Sequence, residues 1–406
     1  MLKHSRDGLS KNWSVERSLK PFYRGGKVAL MGGSGEIAES SESPDGPVRR
    51  LACMNSGNLS ILPASYEPPF DELLEELDEG DDEILSFTPN PVKENEVVVA
   101  MKSNLLIHWD YVAKKKLRSI RGHVMPVLAL DYDGTGTLVS SGSADRSVRV
   151  WDIPRGHCTH VFREHTDIVT LVRFHPDPKK LWLVSAADDC TVCIFDLYSK
   201  QVKYRFTEHV GPVTAVSFMH DATFLVSAGR DKVLNFYSLA SGQHVKTVAV
   251  MDELSSVEVL NSEHSRSVLG GEAGSKKGSK GGEDVALVTA GRKGVLHVYR
   301  VSVDKKGKFQ GCASYRTVEP SPVANSEGAG KDQDIGLQSV SSLVYSERDG
   351  RLFVVTVDSN FLVYTLGAEA PADPLQMPVV QLMGCNEEIL ALSMFPVSAV
   401  QSAVSE

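Results

Sequence analysis

The segment LVSSGSADRSVRVWDI (138–153) decides the fold, and two later segments repeat it: LVSAADDCTVCIFDL (183–197) and LVSAGRDKVLNFYSL (225–239). In each segment an aspartate stands six positions before an aromatic residue; the pairs are Asp145 and Trp151, Asp189 and Phe195, Asp231 and Tyr237. The aspartates lie 44 and then 42 residues apart. A unit that returns at a nearly constant interval indicates a repeat architecture rather than unrelated domains.

Each unit carries two further marks, a histidine ahead of it and a serine inside its first apolar run. Short runs of Val, Ile, Leu and Phe are bounded by Asp, Gly and Ser, which is typical of β-strands and turns. A period of about 40–45 residues with these marks is the pattern of the WD40 repeat, in which strands assemble into four-stranded blades. The histidines are His123, His165 and His209, and the serines are Ser141, Ser185 and Ser227.

Weaker copies extend the series in both directions. Upstream lie RRLACMNSGNLSIL (49–62) and VVVAMKSNLLIHWDYV (97–112); downstream lie ALVTAGRKGVLHVY (286–299), with Lys293 in place of the acid, and FVVTVDSNFLVYTL (353–366). Counting these copies predicts an all-β chain folded as a seven-bladed WD-repeat β-propeller.

The rest of the chain is assigned by composition. We expect a polar lead-in over 1–26 and the propeller over 27–366. Flexible Gly-, Ser- and Lys-rich inserts are expected at about 256–284 and 304–337. Residues 367–406 are expected to form a linker and a truncated further repeat. The acidic run DELLEELDEGDDE (71–83) suits either a solvated loop or one short helix.

Ser141, His123 and Asp145 superficially resemble a hydrolase triad. A triad is used once in a protein, however, whereas this set recurs in three units. We therefore interpret the sets as structural tetrads that hydrogen-bond within each blade, with the second and third incomplete because they lack tryptophan. Their members are His123, Ser141, Asp145 and Trp151; His165, Ser185, Asp189 and Phe195; His209, Ser227, Asp231 and Tyr237.

The sequence predicts no catalytic, cofactor-binding or metal-binding residues. Cys190 and Cys193 have metal-like spacing, but they lie in one predicted strand without a second ligand pair. We therefore expect no enzyme activity, no cofactor and no small-molecule substrate.

The net charge of −9 argues against nucleic-acid binding by the whole surface. A local basic cluster could nevertheless contact RNA phosphates, or it could simply be a solvated connector. Its residues are Lys114, Lys115, Lys116, Arg118 and Arg121. No apolar run reaches the length of a membrane helix, so no membrane association is expected.

Three stretches carry a more specific resemblance: SVERSLKPFYRGGK (14–27), FHPDPKKLWLVSAADD (174–189) and VSAGRDKVLNFYSL (226–239). Together they resemble the N-terminal propeller of the transducin-beta-like-three family, whose yeast member is the thirteenth of the U-three-associated proteins. The resemblance implies tandem propellers followed by a helical domain, of which this sequence contains one propeller.

The family resemblance also implies a function. It predicts a non-catalytic scaffold of the small-subunit processome, acting in pre-ribosomal RNA processing and 40S ribosome biogenesis in the nucleus and nucleolus. The implied partners are UtpB subunits and other WD-repeat processome proteins, with U-three snoRNA or pre-rRNA bound directly or indirectly. The alternatives are a generic WD-repeat adaptor, such as a ubiquitin-ligase substrate receptor or signalling scaffold, and a propeller enzyme.

Overall fold

The computed structural model describes most of the chain between residues 28 and 383. The described residues are 28–31, 50–55, 58–63, 75–77, 82–93, 95–219, 222–269, 283–304, 308–318, 339–346, 350–356, 360–366 and 380–383. The predicted lead-in at 1–26 and the tail after Met383 lie outside them.

The described strands form seven antiparallel four-stranded sheets, which are the blades. Blade 1 contains β1 (Val28–Met31), β2 (Arg50–Asn55), β3 (Asn58–Pro63) and β4 (Glu75–Leu77); blade 2, β5 (Ile84–Pro89), β6 (Glu96–Met101), β7 (Leu105–Asp110) and β8 (Lys115–Arg121); blade 3, β9 (Val127–Tyr132), β10 (Leu138–Ser143), β11 (Val148–Asp152) and β12 (His157–Phe162); blade 4, β13 (Val169–Phe174), β14 (Trp182–Ala187), β15 (Val192–Asp196) and β16 (Gln201–Phe206).

The second half continues the pattern. Blade 5 contains β17 (Val213–Met219), β18 (Phe224–Gly229), β19 (Val233–Ser238) and β20 (Gln243–Ala249); blade 6, β21 (Leu254–Val259), β22 (Glu283–Gly291), β23 (Leu296–Val303) and β24 (Phe309–Val318), with helix α1 (Ser262–Val268) between its first two strands; blade 7, β25 (Val340–Ser346), β26 (Arg351–Thr356), β27 (Asn360–Thr365) and β28 (Val380–Met383). The predicted all-β, seven-bladed propeller is confirmed.

The first strands of successive blades contact one another, and β1 contacts both β5 and β25, which closes the ring. Because the strands of a blade are antiparallel, its connections fall at two ends. We call front face the end that carries the loops between blades and the turns between second and third strands. The rear face carries the turns between first and second and between third and fourth strands.

Burial explains why the strand sequences differ within a blade. In blade 5 the second strand, FLVSAG, is buried at all six positions because neighbouring blades cover both of its faces. The outermost strand, QHVKTVA, is mostly exposed. Between blades 4 and 5, apolar side chains such as Ile194, Val216 and Leu225 share one core. Full burial of such a side chain stabilises the fold by roughly 1.5–3 kcal/mol.

Hydroxyl groups join neighbouring blades around the central channel. In blades 4, 5 and 6 the second residue of the first strand lies at a register shift, where its hydroxyl points to the next blade. Each hydroxyl donates to the carbonyl of the first residue of the next blade's first strand: Thr170 to Val213 at 3.5 Å, Thr214 to Leu254 at 2.8 Å and Ser255 to Val340 at 2.7 Å.

Both predicted inserts begin later than expected. The first was placed at 256–284, but β21 continues to Val259 and α1 follows, with Val268 and Leu269 in the core between blades 6 and 7. A helix of seven residues is too short to give a sequence periodicity. The second was placed at 304–337, but β24 occupies its first part as the outermost strand of blade 6. Residues 270–282 and 319–338 lie outside the described residues.

The predicted end of the propeller at residue 366 is also wrong. Strand β28 pairs with β27 as the fourth strand of blade 7, although the expectation for 367–406 was a linker and a further repeat. In the acidic run at 71–83, the described residues 75–77 form β4, so neither the helix nor the loop interpretation holds there. A strand that joins an existing sheet edge needs only backbone hydrogen bonds, which a weak sequence pattern does not reveal.

Candidate functional site

The most complete of the predicted tetrads lies on the front face of blade 3. His123 comes from the loop that enters the blade, Ser141 from β10, Asp145 from the following turn and Trp151 from β11. His123 Nδ1 lies 2.8 Å from Asp145 Oδ2, and its Nε2 lies 2.7 Å from Ser141 Oγ. Trp151 Nε1 donates to the same Ser141 Oγ at 2.7 Å. The structure therefore brings all four predicted residues together in one chain of hydrogen bonds.

Burial and hydrogen bonding determine the charge states of Asp145 and His123. Burial opposes ionisation of Asp145, but hydrogen bonds from Ser147 and His123 outweigh it and lower the pKa of Asp145 to about 2. Burial lowers the pKa of His123 despite its hydrogen bond to Asp145. A neutral His123 thus donates from Nδ1 to the carboxylate and accepts the Ser141 hydroxyl proton at Nε2.

The burial of these hydrogen-bonded residues distinguishes them from a catalytic triad. The side chain of His123 is 1% exposed and Ser141 is fully buried, so a substrate could not reach the hydroxyl. A nucleophilic serine must be accessible and free of a second donor. Here Trp151 already donates to the Ser141 oxygen. The arrangement stabilises the turn between β10 and β11 instead.

Blade 4 repeats the His–Ser–Asp part without the indole donor. His165 lies 2.6 Å from Ser185 Oγ and 3.0 Å from Asp189 Oδ2. Phe195 has no donor; it stacks on Phe162 of blade 3 with ring centroids 4.2 Å apart. Aromatic packing between blades therefore replaces a hydrogen bond within the blade.

Blade 5 repeats the same part with a tyrosine. His209 lies 2.6 Å from Ser227 Oγ and 2.8 Å from Asp231 Oδ2. Tyr237 is fully buried and stacks on Phe206 at 4.1 Å. Like Phe195 in blade 4, Tyr237 therefore packs against the fourth strand of the preceding blade.

In blades 2 and 6 the acid comes from the loop that enters the blade, whereas in blades 3, 4 and 5 it comes from the turn between the second and third strands. The sequence did not predict this difference. In blade 6, Asp252 from the entering loop accepts the backbone amide of Lys293 in the turn at 2.9 Å. In blade 2, Asp82 accepts the amide of Ser103 at 3.0 Å in the same way. The signal was present as Asp-Glu directly before the first strand, at 82–83 and 252–253.

The glutamate of each Asp-Glu pair reinforces this reversed arrangement. Glu83 pairs with Lys102 at 2.9 Å, and Glu253 pairs with Arg292 at 3.1 Å. The cation in each case directly precedes the turn residue whose amide is bound. Blades 2 and 6, which are far apart in the ring, thus share one arrangement, in which the entering loop is acidic and the turn is basic.

A buried network on the rear side of blade 2 was also absent from the sequence predictions. Asn90 Nδ2 donates to Glu96 Oε2 at 3.3 Å and to the carbonyl of Gly136 in blade 3 at 3.2 Å. His108 Nε2 lies 2.9 Å from Glu96 Oε2, and burial lowers the pKa of His108 in spite of that carboxylate. The network ties blade 2 to blade 3.

A cavity of about 570 Å³ in the central channel is lined mainly by residues of the first strands of blades 2 to 7. Arg173 of blade 4 donates from Nη1 to the carbonyl of Val216 in blade 5 at 2.7 Å. Its Nη2 lies 3.8 Å from Glu258 Oε1 in blade 6. Burial raises the pKa of Glu258, which Arg173 counters. The guanidinium group thereby links three consecutive blades across the channel wall.

The five cations predicted to contact RNA do not form one patch. Lys114 lies in the rear-face turn of blade 2, whereas Arg121 ends β8 at the front face, roughly 20 Å away at 3.3 Å per residue. Arg118 Nη2 donates to the carbonyl of Pro154 at 2.9 Å and so braces the adjacent turn of blade 3. Lys116 Nζ lies 5.5 Å from the Trp109 ring centroid. With Lys115, also on β8, their role in RNA contact stays a prediction.

Among the described residues, no three or more His, Cys, Asp or Glu side chains lie together in a way that could hold a metal ion. Cys193 is buried in β15, which raises the pKa of its thiol to about 11. Among the described helices, none is long and apolar enough to cross a membrane.

Comparison with known proteins places the chain in a family. The model of the WD domain, G-beta repeat, matches residues 114–152, 156–196 and 200–238. Transducin beta-like protein 3 of Rattus norvegicus is 30% identical over 383 residues, which is 93% of this chain and 41% of the relative. The protein of that name from Homo sapiens is 31% identical over 382 residues, 93% of this chain and 40% of its own length. The chain belongs to the transducin beta-like protein 3 family.

Some matches to other proteins are shorter. Cell division control protein 4 of Saccharomyces cerevisiae is 44% identical, but over 77 residues, or 19% of this chain. Such a match covers fewer than two repeats. The chain spans about two fifths of the length of its transducin beta-like relatives.

The family-model matches also show how sequence repeats and blades are offset. The match at 114–152 starts at the outermost strand of blade 2 and ends with the third strand of blade 3. Each sequence repeat therefore spans the junction of two blades.

Proposed function

We propose that this chain is a non-catalytic scaffold of the small-subunit processome. In this role it acts in pre-ribosomal RNA processing and 40S ribosome biogenesis in the nucleolus. Its partners are UtpB subunits and other WD-repeat processome proteins, with U-three snoRNA or pre-rRNA at the same assembly. The observation that carries the proposal is the match to transducin beta-like protein 3 over 93% of the chain.

The geometry supports a binding role rather than a reaction. The His–Ser–Asp sets of blades 3, 4 and 5 are buried and are used to hold turns. The loops and turns at the two faces remain available, and such segments are where scaffolds usually bind their partners.

Affinity purification tests the proposal. The tagged chain is recovered from its own cells at physiological salt, and both the proteins and the RNA in the eluate are identified. Enrichment of UtpB subunits together with U-three snoRNA, relative to a tagged unrelated propeller, is the expected result. Recovery of ubiquitin-ligase or signalling subunits in their place would overturn it and favour the generic adaptor.

A further inference from the structure

Tyr198 is 89% exposed in the rear-face turn between β15 and β16 of blade 4. The turn is held by other groups: Asp196 Oδ1 accepts the amide of Tyr198 at 2.9 Å, and Lys200 takes the positive φ of 59° that closes it. The ring itself contributes nothing to this geometry. The matching positions in blades 2, 3 and 5 are Val112, Pro154 and Ala240.

Lysines surround this turn. Trp182 on β14 pairs directly with Asp196, which pairs with Gln201 at the start of β16, so these segments are neighbours. The Nζ atoms of Lys180 and Lys203 lie 5.4 and 4.5 Å from the Trp182 ring centroid. We call blade 4 rear patch the set formed by Lys179, Lys180, Trp182, Tyr198, Lys200 and Lys203.

The positive charge of this patch is not neutralised within the described part of the chain, where no carboxylate lies within ion-pair distance of its four lysines. The nearby acids are engaged with the backbone: Asp177 Oδ1 accepts the amide of Lys179, and Asp196 Oδ1 that of Tyr198. The front end of the same blade is acidic, with Glu164, Asp167, Asp188 and Asp189 against Arg163 and Arg205. Blade 4 therefore presents opposite charges at its two ends.

We infer that the blade 4 rear patch binds single-stranded RNA, with a base stacked on Tyr198 and phosphates near Lys179 and Lys200. The inference deepens the proposed function and rests on it for the identity of the nucleic acid. Exposed aromatic rings set among lysines are how proteins hold single strands without reading their sequence. An acidic peptide would satisfy the lysines but would leave the flat, exposed ring of Tyr198 without a use.

The experiment measures fluorescence anisotropy of a 5′-fluorescein-labelled twelve-nucleotide oligouridylate titrated with the full chain. Tyr198→Val, which installs the residue type found at the same position in blade 2, should weaken binding about 5- to 100-fold through lost stacking. Tyr198→Phe should keep the wild-type affinity within about twofold. Because Tyr198 is exposed, neither variant should change the melting temperature.

A pair of double variants tests the charges. Lys179→Gln with Lys200→Gln should reduce the slope of log K against log salt by about 1.4, since each phosphate contact to a single strand contributes about 0.7. Lys114→Gln with Lys115→Gln tests the competing basic cluster of blade 2, where Lys114 occupies the same turn position with φ 51°. If the blade 4 rear patch binds the RNA, this second double variant should keep the wild-type slope.

Three outcomes would overturn the inference. In the first, the blade 2 double variant loses affinity while the blade 4 variants keep it, which assigns RNA to the other cluster and leaves the proposed function intact. In the second, poly-aspartate competes as well as RNA and its binding is lost in Tyr198→Val, which assigns an acidic peptide. In the third, the wild-type chain does not bind the oligonucleotide at 50 mM salt; purification with processome components would then still support the proposed function.

Discussion

Blades 3 and 6 hold the same front-face turn with opposite placements of charge. In blade 3 the entering loop supplies His123 and the turn supplies Asp145; in blade 6 the entering loop supplies Asp252, and the turn supplies Lys293. Both arrangements satisfy backbone amides at the junction of two strands. The fold therefore requires a hydrogen-bonded turn between the second and third strands, but it does not require that a histidine hold this turn. A group that can be exchanged in this way has a structural role.

The largest effect is expected from Asp145→Ala. It leaves the Nδ1 proton of a buried His123 and the amides of Val124 and Ser147 without their acceptor. We expect a loss of about 3 kcal/mol in the free energy of unfolding, at the upper end of the cost of unsatisfied buried groups. Urea unfolding followed by circular dichroism measures it. An unchanged unfolding midpoint would show that the tetrad does not stabilise blade 3.

A smaller effect is expected from the equivalent change in blade 6. Asp252→Ala removes the acceptor of one turn amide and leaves no histidine without its hydrogen-bond partner. We therefore expect a loss of about 1 kcal/mol in the free energy of unfolding. The control is Asp252→Asn, which keeps an acceptor oxygen and should retain most of the stability. A loss as large as that of Asp145→Ala would remove the distinction between the two kinds of blade.

The smallest effect is a pH dependence of stability, to which the buried His123 of blade 3 and His165 of blade 4 contribute. Burial lowers the pKa of His123 and of His165 in the folded chain below 6.5, so below that pH the unfolded chain binds more protons. Stability should therefore fall as the pH drops from 7.5 to 6.0. In His165→Gln the melting temperature should fall less over this interval; an equal fall would show that buried His165 does not cause it.

Much of the fold followed from the sequence because strand alternation and the 42–44 residue interval are local features. The seven blades and the membership of the blade 3 tetrad were predicted in this way. The arrangement in blades 2 and 6 was not predicted because Asp82 and Asp252 accept hydrogen bonds from backbone amides. Such bonds leave no side-chain pattern at the partner position. Helix α1 escaped because it is too short for a periodic signal.

The candidate RNA contacts show the same limit. The sequence places Lys114 and Arg118 in one basic run, yet Arg118 is engaged with the carbonyl of Pro154 in the next blade. Lys179 and Trp182 lie close together in sequence, but Tyr198 follows Trp182 by 16 residues (198 − 182), so the three form no single run. They come together because β14 pairs with β15 at one end of the sheet.

The sequence by itself determined the repeat and the strands of its clearest units, because both depend on residue order within about forty positions. The tertiary structure decided which blade faces which, how β1 and β25 close the ring, and which charges remain free at each face. These properties depend on contacts between residues distant in the chain. At equivalent turns, Lys114 and Lys200 each follow an aspartate by four positions, and strand pairing is what brings Lys179, Lys180 and Trp182 beside the blade 4 turn.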